Sequence, residues 1–170
     1  MTNSTVNIYA YGYSEAKTYC LAALFVVGNI LLPQLFHLVP KGGMTWLPIY
    51  FFSLTGAYKY GWRVGLLTAV FSPVVNSILF GMPMPQVLPA ILCKSILLAV
   101  GAGFIADRFR KVNLWLLMVV VVFYQTIGSM AEWAMTGSLE TALQDVRIGL
   151  PGMFLQVFGG YLIIKYLMRK

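Results

Sequence analysis

Charged side chains are scarce. Asp, Glu, Lys and Arg make up 10% of the 170 residues, where a soluble domain carries about 25%. Apolar residues reach 59% and the mean hydropathy is +0.79. A soluble fold of this composition would have too little polar surface to cover its core, so the balance points to a polytopic membrane protein of one domain. Two cysteines, Cys20 and Cys93, lie inside apolar runs without CxxC spacing, which argues against a disulfide framework or a zinc site. One histidine and five acidic residues leave little for enzymatic chemistry. No Walker-type GxxxxGK[ST], acidic metal cluster or nucleophile beside a base is found, so the chain reads as no enzyme, with no cofactor and no metal. The net charge of +7 provides no nucleic-acid face, because the basic residues fall in short loops between apolar runs. The opening MTNSTVNIYAYGY lacks the basic start of a cleavable signal peptide.

What the sequence has is long apolar runs. A transmembrane helix needs about 20 such residues. The runs predict an all-α membrane protein, a single bundle of six transmembrane helices at 15–37, 44–60, 62–81, 86–106, 113–136 and 148–168. The bundle domain covers 14–170 and follows a cytoplasmic segment, 1–13. The breaks are chemical: Pro40 with Gly42 and Gly43, the Lys59–Arg63 turn, GMPMP at 81–85, DRFRK at 107–111 and the polar stretch GSLETALQDVR at 137–147. The last of these suits a short surface helix. With both termini cytoplasmic, the inner ends hold Lys17, Lys59, Arg63, Arg108, Arg110, Lys111, Lys165, Arg169 and Lys170, and the outer loops only Lys41 and Arg147. That bias sets the expected direction.

Lys94 stands inside the fourth span, where a charge costs about 2.5–3.5 kcal/mol on insertion scales. It lies roughly 12 Å from the expected outer end and shares a helix face with Gln86 and Ala90. The fifth span carries Gln125, Ser129, Glu132 and Thr136 on one stripe, and the third carries Thr68, Ser72 and Asn76. Asn29 and Gln156 sit at similar depth, and His37 and Lys41 flank the first outer loop. Such groups should face a cavity or each other rather than lipid. A cavity open outside and closed toward the cytoplasm would suit capture of a small polar solute. The alternative is that Lys94 and Glu132 pair to hold two helices together, and that Asn29 or Ser72 serve as interhelical links. Trp46, Trp62, Trp115 and Trp133 fall near span ends as belt aromatics, with Trp133, beside Glu132, the one placed to stack on a ligand. Ala16, Cys20 and Ala23 give the first span a small-residue stripe suited to helix docking.

The stretch WLPIYFFSLTGAYKYGWRVGLLTAVFSPVVNSILFGMP, 46–83, resembles the substrate-binding S components of energy-coupling factor transporters. The resemblance implies a bacterial cytoplasmic-membrane protein that captures a water-soluble vitamin or related micronutrient from outside. It implies as partners a T component and two ATPase subunits, which hydrolyse the ATP. The family's AxxxA docking motif corresponds to Ala16-Lys-Thr-Tyr-Cys20, with cysteine in the second position. The start Met1-Thr2-Asn3 differs from the Met-His start of the nickel and cobalt branch, which argues against a metal substrate. On this reading Lys94 anchors a substrate carboxylate or phosphate, or else pairs with Glu132. Asn76, Gln125 and Gln156 orient the substrate, and the 37–43 loop acts as a lid. The rival is a non-transporting membrane scaffold of the rod-shape MreD type, which needs no polar cavity.

Overall fold

The computed structural model describes residues 9–168, whose regular elements are all helical, with no strand among them. The helices are α1 (Ala16–Phe36), α2 (Gly42–Trp46), α3 (Phe51–Tyr60), α4 (Trp62–Phe80), α5 (Leu88–Phe109), α6 (Leu114–Thr136), α7 (Leu139–Ile148), α8 (Leu150–Phe154) and α9 (Gly160–Met168). Among the described residues, five stretches are long and apolar enough to cross a membrane: α1, α4, α5, α6 and the continuous 150–167. This is the architecture of a multi-pass membrane protein. Large apolar side chains are exposed along the outer faces, among them Leu24, Leu31, Phe71, Ile78, Val119 and Val122. A water-soluble monomer does not expose such a surface, whereas lipid covers it.

The stretch 44–60 departs from the expected single span. It divides into α2, a 3-10 turn over Pro48–Tyr50, and α3, whose 10 residues reach only about 15 Å. The break lies at Leu47, which takes a left-handed conformation (φ 46°) immediately before Pro48. Proline has no N–H to donate and disfavours the α region in the residue before it.

The core joins α3, α5, α6 and the last helical stretch through Leu54, Ala57, Leu98, Ala102, Leu117, Val120 and Ile164. Small residues let the backbones close. A Cβ on Gly65 of α4 would meet the Ala57 backbone of α3, and one on Gly103 of α5 would meet Trp62. At the end holding the α3–α4 turn, residues 9–13 pack back onto the bundle. The Tyr9 N–H donates to the Lys59 carbonyl, and Tyr9 and Tyr11 stack with Tyr60. Residues 1–8 of the expected N-terminal segment lie outside the described residues. The opposite end is more elaborate: α2, α7 and α8 fold across it, and the stretch 137–147 contributes most of α7.

Candidate functional site

Lys94 lies two turns inside α5, and its side chain is 1% exposed. Its Nζ donates to Glu132 Oε2 of α6 at 2.6 Å and to Asp145 Oδ2 of α7 at 2.7 Å. Gly128, one turn before Glu132, opens the path, since a Cβ there would collide with Lys94 Cγ. One ammonium between two carboxylates satisfies the lysine and leaves the trio with a formal charge of −1. Low dielectric makes both attractions strong, and desolvation of three charges opposes them. Asp145 is the more exposed carboxylate, at 24% against 10% for Glu132.

Asp145 was not among the expected site residues. It sits in a polar stretch that reads as surface, yet it lies three positions after Ala142, the buried residue of α7. Ser138 caps that helix by accepting from the Thr141 N–H. A helical reading of 138–148 therefore turns Asp145 toward the bundle with Ala142.

Asn29, Ser53, Ser72 and Asn76 form a closed network. Asn29 Nδ2 donates to Ser53 Oγ and Ser72 Oγ, both at 3.1 Å, and its Oδ1 accepts from the Phe52 N–H. Asn76 Nδ2 donates to the carbonyls of Asn29 and Ser72. All four side chains are buried, so Asn29 links α1, α3 and α4, with both its amide donors spent inside the bundle. Asn76 differs. Its Oδ1 is buried and has no hydrogen-bond partner among the described residues.

Asn76 lines a cavity of about 180 Å³ together with α1, α5, the 82–87 segment, the α2–Tyr50 segment and Asp145 of α7. The walls are mainly Pro33, Leu47, Pro48, Ile91 and three methionines, Met44, Met82 and Met84. Tyr50 also lines the cavity, and its buried hydroxyl likewise has no hydrogen-bond partner. Its ring packs on Tyr124, whose hydroxyl donates to Gln156 Oε1 at 2.9 Å. Gln156 lies in a π-helical turn, Leu155–Gly159, between α8 and α9, and does not line the cavity. His37 lines it and is exposed, its ring close against Gly43.

Gln125 and Trp133 lie elsewhere. With Ser129 they line a separate groove of about 390 Å³ between α6, α7 and α8. Both ends of the buried Gln125 amide are without hydrogen-bond partners there, and Trp133 is half exposed. The residues expected at one substrate site thus fall into five places. Lys94 and Glu132 meet in the charged trio, and Asn76 and His37 line the cavity. Asn29 is locked in the network beneath Asn76, and Gln125 and Trp133 face the groove, with Gln156 tied to Tyr124. Ala16, Cys20 and Ala23 are all exposed on α1. No family model, curated protein or solved structure matches the chain.

Proposed function

We propose that this chain is the substrate-capture subunit of an ATP-driven uptake system, an S component of the energy-coupling factor type. It binds a small water-soluble micronutrient in the Tyr50–Asn76–Asp145 cavity and is energised by a T component and two ATPases. The observation that carries the reading is an apolar cavity lined by Tyr50 and Asn76, each with a buried polar atom that has no hydrogen-bond partner among the described residues. Leaving such atoms unsatisfied costs about 1–3 kcal/mol each, a cost that hydrogen bonds to a ligand would remove. Sites for small molecules share this plan of apolar walls with a few placed polar groups. The positive-inside bias puts the cavity end outside, with α2 and the residues from His37 to Gly43 as its cover and α3 as the short sixth span.

Expression in bacteria with and without the T component and the two ATPases tests this. The expected result is that one solute leaves the medium only when all components are present and the ATPases are active. Depletion without the motor, or none with it, would count against capture for uptake. The exposed Ala16–Cys20–Ala23 stripe supplies the docking face in this reading. Replacing Ala16 and Ala23 together by tryptophan is therefore expected to abolish motor-dependent uptake while leaving solute binding to the isolated chain within about twofold.

A further inference from the structure

The capture reading leaves the substrate's chemistry open, and the cavity's polar groups speak to it. Asp145 is the lining residue with a formal charge, and Lys94 does not line the cavity. The Lys94 ammonium is held by two carboxylates at 2.6 and 2.7 Å, so it has little attraction left for a third anion. An incoming carboxylate would instead meet a trio that already carries −1, with Asp145 the carboxylate that lines the cavity. The Asn76 amide, which lines the cavity, is fixed by its two donated hydrogen bonds, which leave its oxygen, an acceptor only, without a partner among the described residues. The Tyr50 hydroxyl can donate or accept. Two groups that accept and one that does either make a receptor for hydrogen-bond donors.

Size and walls narrow the body of the ligand. A cavity of about 150 Å³ lined by apolar side chains holds benzene, so about 180 Å³ accommodates a single ring with a short substituent. The Tyr50 ring and the methionines Met44, Met82 and Met84 offer stacking and sulfur–aromatic contacts to such a ring. We infer, resting on the capture reading, that the cavity takes a small single-ring compound recognised through a cationic or donor-bearing nitrogen at Asp145, Asn76 and Tyr50, and rejects the corresponding acid. This reverses the sign expected from Lys94 alone.

Three probes with one ring and different head groups test it: benzylamine, benzyl alcohol and benzoate, titrated into the full chain in lipid nanodiscs at pH 7. Benzylamine should bind at least tenfold more tightly than benzoate, with benzyl alcohol between them. Asp145→Asn should bring benzylamine to within about threefold of benzyl alcohol, and Ile91→Phe, which fills the cavity, should remove all binding. The wild-type series decides the sign even if Asp145→Asn fails to fold. Benzoate binding as tightly as benzylamine would overturn the inference and leave capture standing. Saturable binding of none of the three, or binding unaffected by Ile91→Phe, would remove the cavity as a capture site and the inference with it.

Discussion

Lys94→Met is expected to destabilise the protein by about 3–5 kcal/mol, the cost of leaving buried charge without its partner. Two carboxylates would then face each other across a space that the ammonium now fills, at 2.6 and 2.7 Å. Equilibrium unfolding in one fixed detergent would read the loss. The triple variant Lys94→Met, Glu132→Gln, Asp145→Asn should recover most of it, because replacing a whole buried charge cluster by neutral groups is often nearly neutral. This result separates two roles for the lysine. A ligand anchor can be removed at little cost to the empty protein, since its charge is unpaired until substrate arrives. A Lys94→Met chain as stable as the wild type would show that the trio contributes nothing to the fold.

The second large effect comes from close helix packing. Gly65→Leu on α4 should cost about 3 kcal/mol, at the upper end of overpacking penalties, or prevent folding. A Cβ at this position would lie 2.6 Å from the Ala57 Cα and 2.9 Å from its backbone nitrogen. Those atoms belong to the buried middle of α3, so no side-chain rotation relieves the contact. Gly81→Ala offers the contrast. Gly81 ends α4 with a positive φ of 67°, and nothing lies near its missing Cβ, so the cost there is the left-handed conformation, about 1 kcal/mol. The same unfolding assay should rank Gly65→Leu well below Gly81→Ala. Equal losses would mean that the α3–α4 approach tolerates bulk.

How much of this was legible in the sequence depended on how local the cause is. Long helices were legible because a run of apolar residues between Gly, Pro and basic breaks is sufficient to specify them. The runs beginning near residues 15, 62, 86, 113 and 148 all appear as helical stretches of membrane-crossing length. The division of 44–60 has a local signal as well, the Leu47-Pro48 pair, which sits between apolar residues on both sides. Polar residues on helix faces were legible as inward-facing: Asn29, Asn76, Lys94, Gln125, Glu132 and Gln156 are all buried. Their partners were not. Periodicity gives the face of one helix but not its rotation against the next, so stripes that all point inward need not meet. Asn29 met Ser53 and Ser72, while Gln125 met none. Asp145 was hardest to find, because α7 is polar enough to read as a surface segment and only its return across the bundle end brings the carboxylate to Lys94.

The central claim is that the Tyr50–Asn76–Asp145 cavity holds a solute. Mass spectrometry of small molecules released by denaturing the chain, purified gently from its own membranes, tests it most directly when wild type and Ile91→Phe are compared. The account predicts a single-ring solute with a basic or donor-bearing nitrogen, close to one per chain in the wild type and absent from the filled variant. No enriched solute in the wild type, or the same amount in Ile91→Phe, would contradict it.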